Sequence, residues 1–261
     1  MAKVQTRNRL RIWQDVIFAL FIRGLQSKFN DKFGISWAII QPVSFIFILS
    51  FIRGAMNGAE THSMPTFVFM VYGIVSLTFF LTTLSASSKA LQKDKPLYAF
   101  RQVVPISSFV ASSLFEYIVK IVVILVLVII MWFIDIDLTL HDPITVIINF
   151  TLIWIIAMSL GIIFSISSAF FPEVTKFQQM AQRPMLFISA VFFSLQDIPK
   201  EFWPYLEWNP LLHAIELSRQ AAYPNFGAVG VSQQYVYLCT LSLLFLALVV
   251  YKRYWKQAIS L

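Results

Sequence analysis

S-L-Q-D-I-P-K-E-F-W-P-Y-L-E-W-N-P-L-L-H-A-I-E-L-S-R-Q-A-A-Y-P, residues Ser194–Pro224, is charged and broken by prolines, yet it lies between two long apolar runs. Within it Asn209 stands where a helix cap belongs, and Pro210 follows at the first helical position, where a missing N–H costs nothing. From Asn209 to Ala222 the chain is predicted to form a helix about 20 Å long, too short for roughly 30 Å of hydrocarbon. The segment is therefore expected to dip into a membrane and turn back. On that helix His213, Glu216 and Arg219 share one face at i, i+3 and i+6, while Leu211, Leu212 and Ile215 supply an apolar surface. Glu216 and Arg219 read as an ion pair that anchors the dipping helix or gates an outer exit.

The rest of the chain gives this segment its membrane. With 58% hydrophobic and 13% charged residues among 261, the sequence carries more apolar surface than one soluble core can hide. The fold class expected is an all-α integral membrane protein with six transmembrane helices. The spans are placed near 35–53, 66–86, 107–134, 144–170, 184–197 and 234–251, with a re-entrant segment at 198–225 before the last. The fifth is short and is expected to continue into the dipping segment as one broken unit. Residues 1–33 form a separate N-terminal segment, in which Ile12, Trp13, Val16, Ile17, Leu20, Phe21 and Leu25 recur at helical spacing opposite Arg11, Gln14, Asp15, Arg23 and Ser27. That pattern predicts a basic amphipathic helix lying on the membrane surface or packed on the membrane domain. Residues 34–261 form the membrane domain.

Charge placement predicts orientation. Lys3, Arg7, Arg9, Arg11, Arg23, Lys28 and Lys32, then Lys89, Lys93, Lys95 and Arg101, then Lys176 and Arg183, then Lys252, Arg253 and Lys256 all fall on one side of the six spans. Only Arg53, Lys200 and Arg219 fall on the other, so both termini are expected in the cytoplasm. The net charge of +7 is thus a topology signal, and no nucleic-acid partner is expected. The eight glycines never take the G-x-x-x-x-G-K-[ST] spacing of a phosphate loop, so any ATP hydrolysis would belong to another polypeptide. The single cysteine, Cys239, has no intrachain partner and reads as a small buried hydrophobe.

Three stretches carry a resemblance. W-N-P-L-L-H-A-I-E-L-S-R at Trp208–Arg219, F-G-I-S-W-A-I-I-Q-P at Phe33–Pro42 and Y-A-F-R-Q-V-V-P at Tyr98–Pro105 resemble, in that order and spacing, the permeases of ABC-type capsular polysaccharide exporters. The resemblance implies a permease subunit in the bacterial inner membrane that moves capsular polysaccharide, carried on a lipid end, to the periplasm. It implies a homodimer, two copies of an ATP-binding subunit that hold the ATP and Mg, and periplasmic and outer-membrane export proteins beyond. This chain itself is expected to bind no cofactor. Exporters of O-antigen or teichoic acid share the architecture, and an ATPase-independent membrane enzyme or carrier is the remaining alternative.

Candidate site residues follow from both lines. By resemblance the 87–106 loop, with Lys89, Lys93, Asp94, Lys95, Tyr98, Arg101 and Gln102, couples the ATPase to the spans; by composition alone it is a solvated positive-inside loop. Trp208, Asn209, Pro210, His213, Glu216 and Arg219 make the re-entrant gate. Glu116 and Lys120 stand at i, i+4 inside the third span and read as a structural pair or a pathway contact. Tyr72, Phe79, Phe80 and Trp154 lie within spans, where flat aromatic faces suit a sliding sugar polymer, or simply fill the core. His62, His141 and His213 are far apart and no H-E-x-x-H occurs, so no metal site is expected; Asp135, Asp137 and Asp142 bind a divalent ion in an outer loop or stay hydrated.

Overall fold

The computed structural model describes residues 9–29, 34–58, 60–136 and 138–261. Lys3, Arg7, Lys32, Phe33 and Asp137, named above, lie outside the described residues. Four helices are long and apolar enough to cross a membrane: α3 (Thr66–Lys93), α4 (Pro105–Phe133), α5 (Pro143–Phe170) and α8 (Gln233–Ser260). They contain the predicted second, third, fourth and sixth spans, save that Ile134 is the C-cap of α4. Before them come α1 (Arg9–Phe29), matching the expected amphipathic helix, and α2 (Gly34–Asn57), whose apolar part runs from Ile39 to Ala55 around an internal Pro42.

Local chemistry sets the helix ends. Pro105 and Pro143 open α4 and α5 at positions that need no N–H, and Asp142 caps α5 by accepting from the Thr145 N–H at 3.1 Å and its hydroxyl at 2.6 Å. Those bonds, the hydroxyl's first, hold the Asp142 carboxyl below the usual carboxylate range. Between α2 and α3, strands β1 (Glu60–Thr61) and β2 (Met64–Pro65) form a hairpin whose two turn residues, His62 and Ser63, both have positive φ, at 51° and 61°. That is the hairpin turn whose twist matches its strands.

Two expectations are corrected. The predicted fifth span at 184–197 is α-helical only over 184–188: α6 runs from Glu173 to Ile188, through the stretch expected as a loop and through Pro184, and the chain then leaves α-helical geometry. Sixteen residues at 1.5 Å each give about 24 Å, short of a bilayer core. Glu173 favours a helix start at that point, because a carboxylate in the first turn complements the helix dipole. The predicted 87–106 loop is likewise shorter than expected, since α3 continues to Lys93 and a 3-10 turn occupies Lys95–Ala99. Helix α7 (Pro210–Ala222) stands where the sequence put it, 13 residues long and opened by Pro210.

Helix α3 is the axis of the molecule, packing on α5 and α4 along its length and on α2 and α7 towards its N-terminal end. Val68, Phe69, Ile74, Leu77 and Phe79 of α3 are fully buried, with Ile153, Ile156 and Ala157 of α5 and Leu211, Ala214 and Ile215 of α7 in the same core. Close approach of α3 and α5 depends on Gly161, where an added Cβ would lie 2.3 Å from Ser87 Cβ. The outward faces of α4 and α8 stay apolar, with Leu125, Ile129, Leu241 and Phe245 exposed. Such faces suit contact with lipid or with another apolar surface.

Candidate functional site

A helix that stops inside a membrane protein leaves its last carbonyls without partners. Where α6 ends, side chains from the N-cap and the last turn of α7 meet the carbonyls at and just beyond its end. Asn209 donates from Nδ2 to the Ile188 carbonyl and to Ser189 Oγ, each at 3.0 Å, while its Oδ1 caps α7 by accepting from the Leu211 N–H at 3.0 Å. Arg219 donates to the carbonyls of Ala190 at 2.7 Å and Val191 at 3.2 Å, and to that of Phe69 on α3 at 3.0 Å. Ala190 reaches its place only with φ at 53°, a left-handed geometry that alanine rarely adopts. One residue thus joins the broken segment to the central helix.

Arg219 has no exposed surface, and its charge is answered by Glu216, equally buried, at 2.8 Å. Glu216 in turn accepts from Ser194 Oγ at 2.6 Å. The Ser194 N–H donates to Asp197 Oδ2 at 2.8 Å, and Asp197 Oδ1 meets His62 Nε2 at 2.7 Å. A chain of polar contacts therefore runs from the hairpin turn to the buried guanidinium. The ring of Phe69 receives two guanidinium groups, with Arg219 3.5 Å and Arg53 4.6 Å from its centroid. Gly73 makes room, since a Cβ there would stand 2.7 Å from Arg219 Nη2 and 2.8 Å from the Val191 oxygen.

The other residues expected at the gate hold the ends of α7. His213 meets the Glu207 carbonyl through Nε2 at 2.7 Å and accepts the Ser232 N–H on Nδ1 at 3.0 Å, an arrangement that fits the neutral ring carrying its proton on Nε2. Trp208 is exposed, and its carbonyl accepts from the Tyr235 hydroxyl at 2.7 Å. At the far end the Ala221 and Ala222 carbonyls accept the N–H groups of Asp142 and His141. Replacing Asn209 by alanine removes a cap and two buried donations together. It is expected to destabilise the chain by about 2–3 kcal/mol, above the roughly 1 kcal/mol of a cap alone, as read from thermal unfolding in detergent.

The coupling candidates divide by position. Lys89 and Lys93 are exposed on the last turns of α3, Lys95 opens the 3-10 turn, and Arg101 and Gln102 are exposed beyond it. Asp94 is instead buried and accepts from Arg23 of α1 at 3.2 Å, tying the amphipathic helix to this end of α3. Burial raises the Tyr98 phenol well above its ordinary value. A cavity of about 520 Å³ opens between α1, α3 and α4, with Arg23, Lys89, Lys93, Asp94 and Glu116 in its wall. Lys120, buried on α4, donates to Thr78 of α3 at 3.0 Å.

Of the aromatic candidates, Phe79 is fully buried and stacks on Phe150 at 4.2 Å, and Phe80 is nearly so. Trp154 donates to the Ser113 carbonyl at 3.0 Å and meets Tyr117 edge-on, while Tyr72 is half-buried against the core. Sequence reasoning missed Phe69, Gly73, Ser194, Asp197 and His62. The Phe69 and Val191 carbonyls are announced by no side chain, the Phe69 ring is one phenylalanine among many, and the isolated Gly73 inside an apolar helix was the one readable signal.

The chain is similar to known proteins along nearly its whole length. The chain is 30% identical over 247 residues to the polysialic acid transport protein KpsM of Escherichia coli, covering 94% of this chain and 96% of that one. It is 22% identical over 252 residues to the capsule polysaccharide export inner-membrane protein CtrC of Neisseria meningitidis, with 95% and 94% covered. It is 22% identical over 259 residues to the capsule polysaccharide export inner-membrane protein BexB of Haemophilus influenzae, with 97% and 96% covered. Residues 15–223 match the family described as ABC-2 type transporter, and the chain belongs to that family.

Proposed function

We propose that this chain is the membrane-spanning permease subunit of an ATP-driven exporter of capsular polysaccharide in the bacterial inner membrane. The observation that carries the reading is likeness to capsule exporters along nearly the whole chain, including the segment that builds the Arg219 network. Two copies form the path, each with an ATP-binding subunit that supplies the ATP and Mg chemistry, and periplasmic and outer-membrane proteins take the polymer onward. The lysine and arginine distribution supports cytoplasmic termini and a cytoplasmic end of α3. On this reading α6, the turn after it and α7 form the re-entrant outer segment, and Tyr72 and Trp154 are the aromatic groups left with surface for cargo.

The coupling turn is the part an ATPase would push. Lys93 and Arg101 are the informative positions, because both are exposed whereas Asp94 is already engaged by Arg23. Co-purification with the ATP-binding subunit of the same exporter is expected to give a stable complex that hydrolyses ATP. Lys93→Ala and Arg101→Ala are each expected to weaken assembly by about fivefold, the scale of a truncated interface residue worth about 1 kcal/mol. A well-folded chain that captures no ATPase would sink the permease reading in favour of a carrier working alone.

A further inference from the structure

Arg53 rests on an aromatic ring and has no ion pair among the described residues. Half-buried near the C-terminal end of α2, it faces the Phe69 ring, and its Nε is buried with no hydrogen bond. Asp197, which lines the same cavity, is occupied on both oxygens by His62 and the Ser194 N–H. The charge of Asp197 favours this guanidinium without an ion-pair contact, so a partly desolvated group still gains from a direct acceptor. Arg53 lines an open cavity of about 510 Å³, shared with His62, Phe192 and Phe193 and with the carboxylates of Glu60 and Asp197.

We propose that this cavity is a subsite for one acidic sugar unit of the exported polymer, with the sugar's carboxylate on the Arg53 guanidinium. The inference rests on the polysaccharide-exporter reading and deepens it. A planar guanidinium matches a carboxylate with two parallel N–H donations, and the Phe192 and Phe193 rings offer apolar surface to the C–H face of a pyranose. The two resident carboxylates repel any anion, and a doubly charged phosphate more than a singly charged sugar carboxylate. They also keep the attraction weak. That suits a polymer that must pass unit by unit, where binding strong enough to enter must remain weak enough to leave.

The test is calorimetric binding to the full chain in complex with its ATP-binding subunit. The probes are a sialic acid tetramer, a glucuronate-containing oligosaccharide, maltotetraose as the neutral control, and inorganic phosphate. Saturable binding of at least one acidic oligosaccharide is expected, about tenfold weaker in Arg53→Gln and intermediate in Arg53→Lys, which keeps the charge and loses the fork. Unchanged affinity in both variants, equal binding of maltotetraose, displacement by equimolar phosphate, or no binding of either acidic probe each overturns the proposal. Should Arg53→Gln fail to assemble, the drop or its absence in Arg53→Lys decides. Complex formation and ATP turnover in the same preparations report separately on the permease reading, which survives if the sugar site fails.

Discussion

Arg219→Met is expected to cost about 3–5 kcal/mol of stability and to abolish export, because it leaves Glu216 charged in a dry site and strips the carbonyls of Ala190, Val191 and Phe69 of their donor. Glu216→Gln is expected to cost less, since the amide oxygen still accepts from Arg219, its NH2 can donate to Ser194 Oγ, and Arg219 keeps its three carbonyls. A simple ion pair would tolerate exchange of its two charges better than loss of either. The geometry says otherwise here: a glutamate at 219 would point its oxygens at carbonyl oxygens. The exchanged double variant is therefore expected to fare no better than Arg219→Met, as read from thermal unfolding of purified protein and from surface capsule. Wild-type unfolding of Arg219→Met would refute the network's structural role, and recovery by the double exchange would reduce it to the charge pair alone.

Gly161→Val is the second substitution with a large expected effect. Its Cβ would fall 2.3 Å from Ser87 Cβ and 3.2 Å from the Leu84 carbonyl, so α3 and α5 must separate where they are most closely packed. Overpacking of this kind costs about 1–3 kcal/mol or more, and export is expected to fall with it. Gly24→Val is the control, because a Cβ on that residue of α1 meets nothing within 4 Å. Ser87→Gly combined with Gly161→Ala is expected to recover most of the loss of Gly161→Ala alone, a coupling that a double-mutant cycle in thermal unfolding measures directly. Additive losses would mean that the two residues do not share one contact.

Much of this fold was legible because hydropathy and proline act locally. The spans built on α3, α4, α5 and α8 are long apolar runs, and Asn209 followed by Pro210 announced α7 at its true start. The failures have a common cause in residues whose local chemistry allows two outcomes. Ser85–Lys93 is polar enough to end an apolar run, yet nothing in it breaks a helix, so α3 outlasts its hydrophobic part. Pro184 looks like a span boundary and is instead tolerated inside α6. The apolar run after it reads as a span, but the helix stops at Ile188 because carbonyls from that point on are claimed by Asn209 and Arg219. Those partners come from more than twenty residues away. The site was half visible for the same reason: Glu216 and Arg219 could be paired from spacing, while Phe69, Gly73 and the relay through Ser194, Asp197 and His62 exist only in three dimensions.

Helix α3 carries the Phe69 carbonyl and Gly73 near one end and Lys93 at the other, with no proline between them. Twenty residues at 1.5 Å make this an unbroken rod of about 30 Å. A tilt of about 10° pivoting at Gly73 would swing the Lys93 end by roughly 5 Å, and the same rotation run backwards would pry at the seat of Arg219. The permease thus has an oar fixed in a single rowlock: whatever strokes the Lys93 end must strain or release the buried arginine, with no proline between them to absorb the motion.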